Sequence, residues 1–281
     1  MKYLVTGSNG QLGRAFQKIL PKNSAIFTDV EDLDVTDENA ILDFVKEKKP
    51  QAVLHCAAYT NVDGCEENQG LADAVNHKSV EYLAKACNEI NAILVYISTD
   101  YVFDGTKTEP YNEGDQPNPQ SIYGKTKLEG EEAAKRAKKH YIFRTSWLYG
   151  DGKNFVKTML ELAQNLGEIK VVADQVGRPT FAEDLAKGIL EALDKNLSYG
   201  IYNYQNSGNP VSWANFAREI FKITGKDVKV IDISTGEYLK LNEGKKIAAR
   251  PHYSVLNTDL LKEKGIKIPA WNGALQNFLK A

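Results

Sequence analysis

The chain has 281 residues, with 35 Lys or Arg against 37 Asp or Glu, so its formal net charge is -2 at pH 7. This near-neutral charge excludes a surface that gathers nucleic acid or anionic membrane, and no apolar run approaches the length of a membrane span. Three cysteines without a close pair and four histidines without ligand spacing exclude a disulfide framework or a finger-type zinc site, and they favour a reduced, cytoplasmic setting.

Short apolar runs alternate with amphipathic segments through the first 146 residues. Strands are predicted at "KYLVT", "AIFTD", "AVLHCAA", "AILVYIS" and "YIFRTS", and helices at 11–20, 37–48, 67–90 and around Tyr123. The strands are almost unbroken Val, Ile, Leu and Ala, which is typical of a parallel sheet covered on both faces. We therefore predict an α/β fold, a Rossmann-type doubly wound parallel sheet with at least five strands by residue 146.

Beyond residue 150 the alternation becomes less regular. Strands are predicted at "IKVVAD", "GIYNYQ" and "VKVIDIS", and helices at 181–194, 212–224 and the C-terminus. This pattern indicates a smaller C-terminal α+β lobe. We divide the chain into residues 1–150, a Rossmann-type domain, and 151–281, mainly a second lobe, although some of its strands are free to rejoin the sheet.

A glycine-rich turn follows the first predicted strand and opens the first helix. Gly7 permits the tight turn, Gly10 lets the backbone approach a pyrophosphate, and Gly13 lets the helix pack against the strand. The first helical residues, Gln11 and Leu12, present free N–H groups to the phosphates. The turn therefore predicts a dinucleotide cofactor.

Asp29 ends the second predicted strand. A carboxylate at this position accepts hydrogen bonds from the adenosine ribose diol and repels a 2'-phosphate. We therefore predict NADH as the cofactor. NADPH stays an alternative because Lys18 or Lys22 could reach a phosphate, and because Asp29 could simply be an exposed loop residue.

Tyr123 and Lys127 are four residues apart in "SIYGKTKLEGEEAAKR" and so share one helix face. An ammonium beside the phenol is expected to lower the pKa of Tyr123 from about 10. This spacing also occurs on ordinary surface helices, but Thr99 ends the strand in "AILVYISTDYVFDG", at the sheet edge where ligands bind. Its hydroxyl can hold a carbonyl oxygen, so we predict Thr99, Tyr123 and Lys127 as the catalytic set.

The glycine spacing, the "HCAAYTNVD" segment and this catalytic set resemble the extended short-chain dehydrogenase/reductase superfamily. The resemblance implies hydride transfer from a reduced nicotinamide to a ketone, with Tyr123 protonating the alkoxide. Thr99 would hydrogen-bond the same oxygen, and Lys127 would orient the nicotinamide ribose. The resemblance also implies cofactor contacts at Asp34, Val35, Ala57, Ala58 and Thr60. We therefore expect residues 1–150 to be an NAD(P)-binding Rossmann domain with the catalytic residues, and 151–281 to be mainly a substrate-binding lobe.

Longer stretches resemble the dTDP-4-dehydrorhamnose reductase family across nearly the whole chain, namely "STDYVFDG", "YGKTKLEGE", "FRTSWLYG", "NFVKTML", "DQVGRPT" and "ARPHYSVLNT". This implies NAD(P)H-dependent reduction of the 4-keto group of dTDP-4-dehydro-β-L-rhamnose to dTDP-L-rhamnose. By motif match, the side chains facing the sugar are Thr99, Asp100, Tyr123 and Trp147. The guanidinium groups of Arg178 and Arg250 are suited to bind a substrate diphosphate through paired hydrogen bonds. The alternatives are ion pairs for the arginines and a core position for Trp147.

Some members of that family form a magnesium-bridged dimer through acidic residues, one of them just after the third glycine. Here that stretch is "GRAFQK", with Arg14 and Ala15 and no carboxylate, although Glu183 matches another such position. We therefore predict no bound metal, and either a monomer or a homodimer with a small-molecule nucleotide-sugar substrate.

Four other functions are alternatives to this reduction. A nucleotide-sugar dehydratase is disfavoured because Tyr101 stands where its carboxylate base belongs. Another nucleotide-sugar reductase or an epimerase stays open, and an epimerase would retain tightly bound NAD. A non-catalytic regulatory subunit of the methionine adenosyltransferase type also resembles this reductase family.

Overall fold

Twelve strands occur in the part of the chain that the computed structural model describes, residues 1–280. They are β1 (Tyr3–Thr6), β2 (Ala25–Thr28), β3 (Ala52–His55), β4 (Ile93–Thr99), β5 (His140–Thr145), β6 (Leu148–Tyr149), β7 (Glu168–Val172), β8 (Val176–Gly177), β9 (Thr180–Phe181), β10 (Gly200–Asn203), β11 (Val211–Ser212) and β12 (Lys229–Ile233). The strands predicted from apolar runs are confirmed, whereas the two-residue strands are too short to leave a sequence pattern.

Twelve α-helices connect and cover these strands within the same residues. They are α1 (Gln11–Ile19), α2 (Glu38–Lys48), α3 (Val62–Glu67), α4 (Gln69–Asp73), α5 (Ser79–Ile90), α6 (Ile122–Ala134), α7 (Phe155–Leu162), α8 (Ala182–Asp194), α9 (Trp213–Thr224), α10 (Thr235–Leu241), α11 (Asp259–Glu263) and α12 (Trp271–Lys280). A π-helical turn, Ala74–Lys78, joins α4 to α5, so the helix predicted at 67–90 is not uniformly α-helical.

Six strands form one parallel sheet in the order β10-β5-β4-β3-β1-β2. The chain runs outward from β1 to β2 and then crosses back to β3, so the order reverses between β1 and β3. Ligands of open parallel sheets bind beyond the carboxyl ends of the strands at such a reversal. The predicted α/β fold is confirmed, and its topology places a ligand site between the residues that follow β1 and β3.

Each face of the sheet packs against its own layer of helices. On one face, Phe16 of α1 and Leu185 of α8 belong to one buried cluster. On the other, Ile41 of α2, Leu83 of α5 and Ala133 of α6 belong to a second. Burying a large apolar side chain contributes roughly 1.5–3 kcal/mol, so these two layers are the main stabilising element of the fold.

The C-terminal part of the chain both builds its own core and completes the sheet. β12 pairs with β7, β11 with β8 and β6 with β9, and Phe216 of α9 lies in the core beside them. In contrast, β10 pairs in parallel with β5 as the sixth strand of the main sheet. The division of the chain at residue 150 stays a prediction.

A buried ion pair ties α6 to the sheet. Arg144 of β5 donates from Nε and Nη2 to the two carboxylate oxygens of Glu131, at 2.9 and 2.7 Å. The side chains of the arginine and the glutamate are 2% and 0% exposed. Ser98 also donates to Glu131, and the remaining arginine nitrogen donates to the Glu113 carbonyl. Because every charged group has partners, the pair holds the position of α6 on the sheet.

Candidate active site

The glycine turn after β1 leaves no room for side chains. Gly7 has a φ of +63°, and a Cβ there would lie 2.5 Å from the Ala57 nitrogen. A Cβ on Gly13 would lie 2.4 Å from the Gly7 carbonyl oxygen, so α1 can approach the turn only because this position is glycine. The turn thereby brings the N-terminus of α1 to the reversal point of the sheet.

One cavity of about 480 Å³ opens at this reversal point. It is lined by many of the predicted site residues, namely Gly10, Gln11, Leu12, Ala57, Ala58, Thr60, Thr99, Asp100, Tyr123, Lys127 and Trp147. Two surface depressions of about 560 and 570 Å³ lie elsewhere and contain none of these residues. The topology therefore brings the predicted cofactor end and the predicted reacting end into a single space.

The first turn of α6 lies directly against the end of β4. The Ser121 side chain caps α6 by accepting a hydrogen bond from the Gly124 backbone, at 3.1 Å. A Cβ on Gly124 would lie 2.2 Å from the Tyr101 carbonyl oxygen. This close approach brings Tyr123 near Thr99, whose side chain lowers the pKa of the phenol.

The pKa of Tyr123 shifts in the direction opposite to the one expected from the sequence. Burial raises the pKa well above its usual value, the Thr99 hydrogen bond lowers it only in part, and Asp100 raises it further. Lys127 is 2% exposed, and burial lowers its own pKa to about 7. The prediction that the Tyr123 pKa lies below its usual value is therefore wrong for this structure, because desolvation of the buried phenol is the largest effect on it. Tyr123 keeps its proton at neutral pH.

Asp100 is a second buried acid at the reacting end. It is 3% exposed and accepts a hydrogen bond from the Thr99 hydroxyl at 3.0 Å. Burial is the largest effect on the carboxyl group and raises its pKa to about 6. The cavity thus offers a polar group that changes charge close to neutral pH.

Asp29 lies at the end of β2, beside the glycine turn. Its carboxylate accepts hydrogen bonds from the backbone N–H of Asn9 at 2.8 Å and of Val30 at 2.9 Å. These contacts fix the side chain at the outer end of the turn, although it does not line the cavity. Asp34 is exposed and accepts from Thr36, and Val35 packs against an apolar cluster; neither lines the cavity.

The two arginines predicted for a diphosphate differ in their partners. Arg250 forms an ion pair with Asp63 of α3, at 2.9 Å, and this is the alternative that the sequence left open. Arg178 makes no ion pair within residues 1–280, its Nε is buried without a hydrogen-bond partner, and its Nη1 is 3.4 Å from the Leu256 carbonyl. Neither arginine lines the cavity, but Arg178 keeps most of its donors available.

Trp147 lines the cavity and also packs against a second tryptophan. Its ring lies 3.5 Å from that of Trp213, centroid to centroid, with an angle of 8° between the planes. The sequence reading missed Trp213 and Lys153, which both line the cavity. Lys153 had a weak signal, since it follows a strand end in the glycine-containing loop "YGDGKN". Trp213 had no sequence signal of this kind, because it lies within a helix of the C-terminal part.

A histidine and two acids form a separate group outside the cavity. Asp73, His77 and Glu129 have ligand atoms within 4.8 Å of one another. Lys18 of α1 pairs with Glu183 at 3.0 Å and with Asp151 at 2.7 Å. None of the helices in residues 1–280 has the length and apolar character needed to cross a membrane.

A family model described as the RmlD substrate binding domain matches residues 1–281. The chain belongs to this RmlD family. Its relatives include a dTDP-4-dehydrorhamnose reductase from Aggregatibacter actinomycetemcomitans, 38% identical over 99% of this chain and 98% of that protein. The predicted resemblance to these reductases is confirmed.

Solved structures of other proteins agree with the RmlD assignment. A dTDP-4-dehydrorhamnose reductase from Clostridium acetobutylicum is 48% identical and has a TM-score of 0.94, covering 100% of this chain and 99% of that one. A second, from Bacillus anthracis and solved in complex with NADP, is 40% identical with a TM-score of 0.93 over the same shares of the two chains. The whole chain, including the cavity, therefore lies within the region of similarity.

Proposed function

We propose that this RmlD family chain uses NAD(P)H to reduce the 4-keto group of dTDP-4-dehydro-β-L-rhamnose to dTDP-L-rhamnose. The observation that carries the proposal is the single cavity in which Thr99, Tyr123 and Lys127 meet the glycine turn. The end-to-end similarity to dTDP-4-dehydrorhamnose reductases supports the choice of substrate.

The reacting end has a proton donor suited to ketone reduction. When bound, the reduced nicotinamide supplies the hydride. Tyr123 retains its proton at neutral pH because burial raises its pKa, so it can protonate the alkoxide oxygen as that oxygen gains charge. Thr99 hydrogen-bonds the same oxygen and fixes its position. Lys127 lines the cavity and would orient the nicotinamide ribose.

The residues at the other end of the cavity fit a dinucleotide. The N-terminus of α1 opens at Gly10 with no side-chain cap, leaving its backbone N–H groups for phosphates. Gln11 Oε1 is buried without a hydrogen-bond partner in the described chain, so it is available to a donor of the cofactor. Further contacts are assigned to Gly7, Leu12, Gly13, Asp34, Val35, Ala57, Ala58 and Thr60.

The substrate is assigned to the side of the cavity that faces the C-terminal part of the chain. Asp100 and Trp147 would contact the sugar, since both line the cavity near Thr99. Arg178 is the stronger candidate for the diphosphate because its guanidinium has no acidic partner within residues 1–280. Arg250 would have to exchange its contact with Asp63.

A spectrophotometric assay tests the proposed reaction. Absorbance of NADH, and separately of NADPH, is followed with dTDP-4-dehydrorhamnose and with a simple aldehyde as control. We expect loss of absorbance only with the nucleotide sugar. Absence of sugar-dependent loss would overturn the proposal, and stoichiometric NAD in the purified protein would then indicate an epimerase. Copurification with a synthetase partner would indicate the regulatory subunit.

We propose that the enzyme prefers NADH over NADPH. A substitution of Asp29 tests this preference. Asp29→Asn removes the charge that repels a 2'-phosphate and weakens a hydrogen-bond acceptor for the ribose. A loss of about 1.5 kcal/mol in a charge-assisted hydrogen bond corresponds to roughly a tenfold higher KM for NADH. The KM for NADPH should fall.

Steady-state KM values for both cofactors measure this change. Asp43→Asn is the matched control, because Asp43 is an exposed acid on α2 and its removal changes the net charge equally. An unchanged ratio of the two KM values in Asp29→Asn would refute the role assigned to this carboxylate.

We further propose that the enzyme acts in the cytoplasm, as a monomer or homodimer, without nucleic acid or membrane as a partner. Cys56, Cys65 and Cys87 are all free thiols, which suits a reducing compartment. Light scattering coupled to gel filtration would decide between the two oligomeric states.

A further inference from the structure

The Lys127 ammonium lies against an aromatic ring. Its Nζ is 4.1 Å from the centroid of the Tyr96 ring, while the side chain lines the cavity. Within residues 1–280 this Nζ makes no hydrogen bond and no ion pair of its own. A buried ammonium normally requires a compensating partner, and an aromatic face is one when the cation is removed from water.

The Tyr96 ring is held rigidly in this position. Tyr96 is fully buried, and its hydroxyl lies 3.0 Å from the Asn76 carbonyl oxygen and 3.2 Å from that of Lys127. His55 stacks on the ring at 6.2 Å, centroid to centroid. A Cβ on Gly130 would lie 2.2 Å from the tyrosine hydroxyl, so the helix passes as close to it as a glycine allows.

The nearby carboxylate is not available to neutralise Lys127. Glu131, one turn further along α6, attracts the ammonium, but its oxygens already bind Arg144 and Ser98. The tyrosine ring, 4.1 Å from the ammonium, is therefore an electron-rich partner with which Lys127 does make contact.

The other titratable groups near Lys127 are uncharged at neutral pH. Burial lowers the pKa of His55 to about 3, and it raises the pKa of Cys65 to about 11 and that of Cys56 further still. Tyr123, on the same helix, stays protonated because burial raises its pKa. Among these neighbours no second anion supports the ammonium.

We propose that Tyr96 is a positioning residue for Lys127, whose aromatic face holds the ammonium at the reacting end of the cavity in place of a carboxylate. The proposal rests on the proposed function only for its effect on turnover, because the contact itself is a property of the protein alone. It predicts that the charge on Lys127 depends on the electron density of the Tyr96 ring. Reducing the electron density of the ring should lower the pKa of Lys127, so that the lysine loses its proton at a lower pH.

The first test compares Tyr96→Phe with Tyr96→Leu. Phenylalanine keeps the aromatic face, so the pH at which activity falls on the alkaline side should stay near that of the wild type. Leucine removes the face, and a desolvated cation–π contact corresponds to a downward shift of roughly one pH unit. Tyr141→Leu is the matched control, since Tyr141 is an equally buried strand tyrosine in another cluster.

A second measurement keeps the shape of the core and needs no substrate. Tyr96 is replaced by phenylalanine carrying none, one, two or three fluorine atoms, and Lys127 is titrated by NMR of ¹³C-labelled lysine in the full chain. The Lys127 pKa should fall stepwise as the fluorine content rises. A titration that stays constant across the series would overturn the proposal. A stepwise shift in a protein that fails to reduce the nucleotide sugar would leave the contact established and the proposed function refuted.

Discussion

Tyr123→Phe is expected to lower kcat by about 10²- to 10⁴-fold, the usual loss when a positioned proton donor is removed. The substitution deletes only the hydroxyl of a side chain that lines the cavity together with Thr99. The proton for the alkoxide must then come from water, which has neither the position nor the orientation of the phenol. The KM for NADH should change little, because the glycine turn at the other end of the cavity is intact. Stopped-flow or steady-state oxidation of NADH with the nucleotide sugar measures both constants.

Tyr149→Phe is the control for the loss of a buried tyrosine hydroxyl. Tyr149 is 1% exposed, and its hydroxyl is without a hydrogen-bond partner among residues 1–280. It lies outside the cavity lining, so its turnover should match that of the wild type. Near-normal kcat in Tyr123→Phe would remove the phenol from the mechanism, and Thr99 or Asp100 would then have to be considered as the donor.

Glu131→Gln is expected to lower the free energy of unfolding by about 3–5 kcal/mol. The substitution leaves the Arg144 charge buried without its carboxylate partner, because the arginine side chain is 2% exposed. A loss of this size is a large fraction of the stability of a typical domain. Chemical denaturation followed by circular dichroism, with the wild type measured alongside, would give the difference.

An exposed ion pair at the end of the same helix distinguishes the effect of burial on stability from the effect of charge alone. Glu132 binds Lys135 at 2.6 Å, but the two side chains are 59% and 40% exposed, so Glu132→Gln should cost at most about 1 kcal/mol. Replacing both buried partners, as Glu131→Leu with Arg144→Met, should recover much of the loss, since no charge is then left unpaired. Equal effects of Glu131→Gln and Glu132→Gln would contradict this account.

The sequence predicted the long elements of the fold because their patterns are local. The apolar runs that became β1 to β5 are almost unbroken, and the helix predicted at 181–194 is observed as α8, Ala182–Asp194. The order of the strands in the sheet has no such local signal, since it is decided by packing between distant segments. The short strands β6, β8, β9 and β11 likewise depend on their partners and were not predicted.

The candidate site was predictable where a motif fixes the backbone, and less so where burial decides. The glycine turn, Thr99, Tyr123 and Lys127 meet in one cavity, as their positions at strand ends and on one helix face indicated. The direction in which the Tyr123 pKa shifts was not predictable, because it depends on how much water the folded chain excludes from the phenol. For the same reason, the sequence could not show that Asp63 binds Arg250 while Arg178 makes no ion pair with any other residue of the described part of the chain.

The position of β10 has a consequence for how the chain folds as it leaves the ribosome. Until Gly200–Asn203 has emerged, β5 pairs only with β4 and leaves its other edge open, and before residues 182–194 emerge the sheet also lacks α8 over one of its apolar faces. Exposed edges and uncovered apolar faces are the features that draw nascent chains into aggregates. The sheet formed by the first 150 residues is therefore completed only after about fifty more residues have been synthesised. We expect chaperones that bind apolar segments to bind the nascent chain until then.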